Sequence, residues 1–210
     1  MRPDAAARAG RLYVQICGCV APEDASAAAA AGADAVGLVL APGFRRTLGP
    51  EAARRVRAAV PPGTLAVGIF VRPAPGEVAA QQAALGLDAV QIHGAAPEPG
   101  LRPSVFVVRA WDPAGGEPEP GPDEADLLLL EPGAASGGGR GRAWDWGRLA
   151  VRPRRPFAVS GGLTPETVGA VCAALHPDGV DVSSGVETDG RKDPAKMARF
   201  CAEAWRGAGI

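Results

Sequence analysis

LYVQICGCVAPEDASAAAAAGADAVGLVL, Leu12 to Leu40, is the stretch whose reading decides the fold. It opens with the apolar run Leu12 to Cys17, passes through the Ala-rich amphipathic stretch Glu23 to Ala31, turns at Gly32-Ala33-Asp34, and enters a second apolar run, Ala35 to Leu40. Both runs are apolar on successive rather than alternate residues, the pattern of strands covered on two faces, and a helix between such strands makes a parallel βαβ unit.

The same phrase recurs outward from this point. Pro50 to Val60 reads as a helix, and Leu65 to Phe70, Ala89 to Ile92, Val105 to Val108, Leu127 to Leu130, Phe157 to Val159 and Val180 to Val182 read as buried strands, which makes eight with the first two. The turn Gly32-Ala33-Asp34-Ala35-Val36 returns as Gly86-Leu87-Asp88-Ala89-Val90 and, more loosely, as Pro177-Asp178-Gly179-Val180-Asp181. Glycine or proline ends each helix, the acid suits the tight turn, and the next strand follows at once. Eight units in 210 residues leave about 26 residues each, enough for a single-domain α/β fold of the (βα)8 TIM-barrel type. An open doubly wound sheet uses the same units but fewer strands in this length.

Two stretches interrupt the rhythm. Asp112 to Glu124 is full of helix breakers, so a loop is expected to replace the fifth helix, and Pro132 to Gly141 reads as a glycine-rich loop after the sixth strand. Met1 to Arg11, rich in Ala and Arg, lacks the apolar core of a secretory signal and is expected to be a disordered tail, leaving 12–210 as the barrel domain and a cytoplasmic location by default.

Composition narrows the partners. Lys and Arg number 22 against 23 Asp and Glu, a net charge of −1, so no broad basic field is available for nucleic acid or an acidic membrane surface. No apolar run approaches the roughly 20 residues of a membrane span. The four cysteines, Cys17, Cys19, Cys172 and Cys201, lack the paired Cys-x-x-Cys spacing of zinc or redox sites, so neither a metal nor a disulfide is expected. A small molecule is the partner this leaves, and the chain is expected to be a monomer or a homodimer.

In such a barrel the chemistry lies at the C-terminal ends of the strands. Those positions hold Cys17, Arg45, Arg46, His93, Glu131, Ser160 to Leu163 and Asp181 to Glu187. Gly161-Gly162, ahead of a helix expected to open at Thr164, and Ser183-Ser184-Gly185 after strand eight both suit backbone N–H groups aimed at one anion. Taken singly, these residues have ordinary readings: Cys17 as a small buried hydrophobe, His93 and Glu131 as a structural pair, Arg45-Arg46 as solvated surface. Asp193-Pro194 reads as a helix cap, as does Asp145 ahead of Trp146.

The ordered set Ile16-Cys17-Gly18, Glu23-Asp24-Ala25, Gly32 to Gly37, Val90-Gln91-Ile92-His93-Gly94, Gly161-Gly162-Leu163 and Val180 to Glu187 resembles the phosphoribosylanthranilate isomerase family from about Leu12 to the end. The resemblance implies a tryptophan-biosynthesis enzyme that needs no cofactor and performs an Amadori rearrangement of N-(5-phosphoribosyl)anthranilate to the 1-deoxyribulose phosphate by acid and base. It implies Cys17 as base, Glu131 at the position of the family's aspartate acid, Arg46 on the anthranilate carboxylate and Asp181 on a ribose hydroxyl. His93 joins the substrate-binding set, and Gly161, Gly162, Ser183, Ser184 and Gly185 form the phosphate site. In this role a Cys17 thiolate near neutral pH requires nearby cations or dipoles that lower its pKa, and Glu131 has to stay protonated, which requires burial or a negative neighbour.

Several positions depart from the family pattern. Gln15 stands for a lysine, Phe44-Arg45 for Ser-Pro, Glu131 for aspartate, Gly138-Gly139-Arg140-Gly141 for Gly-Gly-Thr-Gly, and Ala95-Ala96 for acids. Clustered at the aryl end, they keep two alternatives in view: a paralogue acting on a related aryl amine, and a non-catalytic barrel that binds a phosphorylated ligand.

Overall fold

The apolar runs pair in chain order. β1 (Tyr13–Cys17), β2 (Ala35–Val39), β3 (Leu65–Val71), β4 (Ala89–His93), β5 (Phe106–Trp111), β6 (Leu127–Leu130), β7 (Phe157–Val159) and β8 (Gly179–Val182) are parallel, and β8 pairs with β1 to close an eight-stranded barrel. The structure, a computed structural model, describes residues 11–99, 101, 105–115, 118–131 and 152–210. α1 (Pro22–Ala30), α2 (Pro50–Ala58) and α3 (Glu77–Leu85) follow the first three strands, and α4 (Val168–Leu175) and α5 (Pro194–Ala208) follow the last two. A short hairpin, β9 (Glu187–Thr188) and β10 (Arg191–Lys192), lies between β8 and α5.

The continuous apolar runs are explained by two separate cores. Outward residues such as Ile16, Leu38, Ile92, Leu130 and Val180 pack under the helices, while Cys17, Ala35, Val67, Ile69 and Ala89, with Val108, Ala110, Leu127, Leu129 and Ala158, fill the barrel itself. Both faces of each strand are therefore removed from water, and alternation in polarity vanishes.

The aspartate of the recurring turn does more than suit a turn. Asp34 Oδ2 accepts from Val14 N at 2.9 Å, Asp88 Oδ2 from Ala66 N at 3.0 Å, and Asp178 Oδ2 from Phe157 N at 2.9 Å, while the backbone N–H of each donates to the carbonyl of the same residue. Each strand entrance is thus stapled to the preceding strand by a carboxylate and an amide together. A fourth staple, Asp126 on Val107, sits in Glu124-Ala125-Asp126, with glutamate where Asp34 and Asp88 have glycine, and the turn pattern alone does not reveal it.

Among the described residues of 112–124 there is no helix, and Arg155 occupies this side of the molecule. Its guanidinium donates to the carbonyls of Pro120, Gly121 and Ala125, satisfying a stretch of backbone that a helix would have paired internally. The connection from β4 to β5 also lacks a helix among its described residues, a loss that Pro97 and Pro99 explain.

Two boundaries differ from expectation. α4 starts at Val168, not Thr164, because Thr164 and Thr167 bond each other through their hydroxyl and backbone groups and hold a turn first. Arg11, assigned to the tail, is anchored: it pairs with Asp34 at 3.3 Å and lies 5.6 Å over the Trp205 ring. The rest of the tail, the loop 132–141 with Arg140, and Asp145 with Trp146 lie outside the described residues. Asp193 caps α5, accepting from Ala195 N and Lys196 N, with Pro194 at the first helical position.

Candidate active site

Cys17, His93 and Asp181 end or nearly end β1, β4 and β8, and Glu131 directly follows β6; all four are on the interior register at the C-terminal mouth. All are buried. Space for Cys17 comes from Gly37 on the adjacent strand, where a Cβ would stand 3.0 Å from the Cys17 sulfur.

A shallow cleft opens beside them, lined by Glu131, Ser160, Gly161, Gly162, Leu163, Asp181, Val182, Ser183, Ser184 and Gly185. This joins every residue of the expected phosphate cradle to the expected acid and ribose partner. Gly161 and Gly162 have φ of +94° and +68°, which side-chain-bearing residues rarely adopt. Gly185 has another reason to be glycine: a Cβ there would meet the Leu163 carbonyl oxygen at 1.8 Å, so the loops after β7 and β8 touch through its bare backbone.

Burial pushes the Asp181 carboxyl up to about 6, against hydrogen bonds from Ser160 and Gln15 and the charge of Lys192. Its Oδ2 takes the Ser160 hydroxyl at 3.3 Å, while Oδ1 is buried without a hydrogen-bond partner among the described residues. A buried open acceptor beside a cleft is the feature expected of a group awaiting a ligand hydroxyl.

Cys17 corrects its expectation. Its thiol is pushed well above the ordinary value, by burial first and by the Asp181 charge second, with Cys19 and Glu131 adding and Lys192 opposing. Desolvation outweighs the Lys192 charge, so burial holds the residue as a thiol. All four cysteines are buried and free.

Arg46 reaches the mouth over Gly18, whose φ of +73° and missing Cβ make room for the arginine chain. There it pairs with Glu187, Nε to Oε1 at 2.7 Å, rather than standing open. Arg45 holds the other oxygen, Oε2, at 2.5 Å and donates to the Gly190 carbonyl at 2.9 Å. Lys192 Nζ, its side chain 2% exposed, lies 3.3 Å from Glu187 Oε1 and donates to the Ser183 carbonyl at 2.8 Å. Burial alone would raise the Glu187 carboxyl, but the two arginine hydrogen bonds and the Lys192 charge hold it below the usual range. Three cations on one carboxylate leave this rim positive. Phe44 is exposed beside it.

Lys192 is the member that residue reading passed over, while Glu187 stands in the candidate run Asp181 to Glu187 without a role of its own. A signal for Lys192 exists: the chain has only two lysines, Lys192 and Lys196, and arginine everywhere else. Arginine is not a substitute where a compact buried charge is needed. The interior also carries an unbroken polar line, with Gln15 Nε2 donating to Gln91 Oε1 at 2.8 Å and Gln91 Nε2 lying 2.9 Å from His93 Nε2. His93 Nδ1 in turn stands 3.4 Å from Glu131 Oε2.

A closed barrel with a glycine-built cradle at loops seven and eight, and buried acid, thiol and cations at the same mouth, defines the class of (βα)8 enzymes built around a small phosphorylated molecule. Residues 14–203 match the family model described as N-(5'phosphoribosyl)anthranilate (PRA) isomerase. A protein of Acidithiobacillus ferrooxidans named N-(5'-phosphoribosyl)anthranilate isomerase is 44% identical over 202 residues, 91% of this chain and 96% of its own length. The crystal structure of TrpF from Jonesia denitrificans matches with a TM-score of 0.81 at 33% identity, covering 95% of this chain and 98% of that one. A structure of phosphoribosyl anthranilate isomerase in complex with reduced 1-(o-carboxyphenylamino)-1-deoxyribulose 5-phosphate matches at 0.75 and 32% identity, over 92% of this chain and 98% of that one. The chain belongs to the N-(5'-phosphoribosyl)anthranilate isomerase family.

Proposed function

We infer that the protein catalyses the Amadori rearrangement of N-(5'-phosphoribosyl)anthranilate to 1-(2-carboxyphenylamino)-1-deoxyribulose 5-phosphate, a step of tryptophan biosynthesis. The observation that carries this is a cleft that joins the glycine cradle to Glu131 and Asp181, in a chain of this family.

The roles follow from position. Backbone N–H groups of Gly161, Gly162, Ser184 and Gly185, with the Ser183 region, take the phosphate, and Asp181 Oδ1 takes a ribose hydroxyl. Glu131 donates a proton to the furanose oxygen as the C1–O bond breaks, and the nitrogen lone pair forms the C1=N iminium ion. Cys17 removes the C2 proton, the freed electron pair makes the C1=C2 enolamine, and tautomerisation gives the ketone. His93 holds Glu131, and Arg46 takes the substrate carboxylate in place of part of its bond to Glu187.

Cys17 starts as a thiol, and substrate charge resolves the difficulty. An iminium ion forming at C1 puts a cation beside it, an adjacent cation favours the thiolate, and the thiol proton passes to solvent at the mouth before the C2 proton is taken. Lys192 contributes in the same direction throughout. Once ionised, a thiolate of high pKa is a strong base.

Cys17→Ser and Glu131→Ala are each expected to lower kcat by a factor of about 100 or more with KM changed less than about threefold, since each group acts on a proton in flight. Steady-state kinetics of the two purified variants measure this, and a near wild-type kcat in either removes that residue from its role. Complementation of a tryptophan auxotroph that lacks this isomerase, with expression verified, tests the function in a cell: growth supports the reading, and no growth favours a paralogue or a silent barrel.

A further inference from the structure

Four side-chain contacts run up the barrel interior and end at Glu131. Tyr13 Oη donates to Gln15 Oε1 at 2.6 Å, Gln15 Nε2 donates to Gln91 Oε1 at 2.8 Å, Gln91 Nε2 lies 2.9 Å from His93 Nε2, and His93 Nδ1 lies 3.4 Å from Glu131 Oε2. Gln15, Gln91, His93 and Glu131 are all buried, so water does not compete for these groups.

The line has a sense. An amide nitrogen only donates, so His93 Nε2 must accept from Gln91, which places the ring proton on Nδ1, the nitrogen facing Glu131. Reversal is blocked further down. Turning Gln91 alone would set its NH2 against the NH2 of Gln15. Turning Gln15 as well would swing its oxygen toward Asp181, its cross-strand partner, whose carboxylate the Gln15 amide now stabilises.

We propose that Gln91, held by Gln15, is a positioning residue that keeps neutral His93 as the Nδ1–H tautomer and so directs that N–H at Glu131 Oε2. The proposal rests on Glu131 being the acid. An N–H aimed at Oε2 across 3.4 Å disfavours a proton on that oxygen and keeps the transferable proton on Oε1. The opposite tautomer would present a bare Nδ1 to Glu131, and that nitrogen would draw the carboxyl proton toward the imidazole and away from the ring oxygen. Gln91 therefore acts on the orientation of the acid without touching substrate, as a hydrogen-bond partner that fixes a tautomer does in other acid–base sites.

The chain has two histidines, His93 and His176, so a His176→Asn protein gives an unambiguous ¹⁵N ring spectrum of His93. At pH 7.5 the expected pattern is a bare Nε2 and a protonated Nδ1. A protonated Nε2, as the other tautomer or as imidazolium, overturns the proposal. Gln91→Met is expected to move the proton to Nε2 and to lower kcat about tenfold or more, with KM within about twofold. A full kcat in Gln91→Met beside an inactive Glu131→Ala rejects control by Gln91 while leaving the acid in place. An active Glu131→Ala overturns the acid assignment itself, on which the ring spectrum does not depend.

Discussion

Cys17 and Asp181 face the same interior, and burial acts on each by penalising the charged form. For Asp181 the consequence reaches stability. Its carboxyl titrates near 6 in the folded chain against an ordinary 3.8. Below about pH 4 both folded and unfolded chains hold the proton, and nothing is lost. As pH rises from about 4 to about 6 the unfolded chain gives up its proton first, so stability falls by up to about 3 kcal/mol and stays lower above that range. Asp181→Asn is therefore expected to be more stable than wild type at pH 7.5 and equal to it near pH 3.5 in urea melts, while losing affinity for the ribose. No gain at pH 7.5 would show that the buried carboxylate is fully compensated by its neighbours. For Cys17 the relevant neighbour is Lys192, the cation that opposes its burial. Lys192→Met removes that charge, so the limb of the kcat/KM profile that reports the thiol should move to higher pH and the rate at neutral pH should fall about tenfold or more. An unmoved limb would confine Lys192 to tethering Glu187 and the Ser183 carbonyl. Cys17, Asp181 and the glycines are legible in the sequence because their types and order are distinctive. Lys192 is not, since nothing local says that a hairpin nine residues beyond Ser183 folds back under the mouth.

The recurring turn was legible as an element, and its mechanism was not. Glycine, acid and an apolar run mark where a strand begins, but only the closed sheet shows that the acid reaches sideways to the preceding strand. That is why Asp126, with Glu124 in the place of the turn's glycine, escapes the pattern while making the same bonds as Asp34, Asp88 and Asp178. Asp126→Ala leaves the Val107 N–H without its acceptor, and a partly buried donor of this kind costs about 1–3 kcal/mol. A urea midpoint lowered accordingly, with kcat unchanged, is the expected result; an unchanged midpoint would mean that the backbone bond from Asp126 N to the Val107 carbonyl suffices. The lost helices follow the same division. Asp112 to Glu124 announces its loop through prolines and glycines, whereas the part played by Arg155 in pairing that loop's carbonyls depends on tertiary contact. The α4 boundary was misplaced for a local reason, since Thr164 is as good a turn former as a helix cap and here bonds Thr167 first.

Across the whole molecule, a chain of net charge −1 gathers Arg45, Arg46 and Lys192 around Glu187, on the loops after β2 and β8, and builds a glycine cradle on the loops after β7 and β8, with Lys192 touching both through Glu187 and the Ser183 carbonyl. A substrate with an aryl carboxylate at one end and a phosphate at the other suits this division of charge, and the buried acid and thiol lie at the same mouth. The departures at Gln15, Phe44, Arg45 and Glu131 leave that division intact. Gln15 is part of the interior line, Arg45 adds to the cationic edge, and Glu131 keeps a carboxyl group in the cleft. The direct test is conversion of N-(5'-phosphoribosyl)anthranilate by the purified wild-type protein, without added metal or cofactor, followed as formation of the 1-deoxyribulose phosphate product. The account predicts turnover on the order of 10 per second, an ordinary enzymatic rate, and no conversion above the uncatalysed background by correctly folded protein would contradict it.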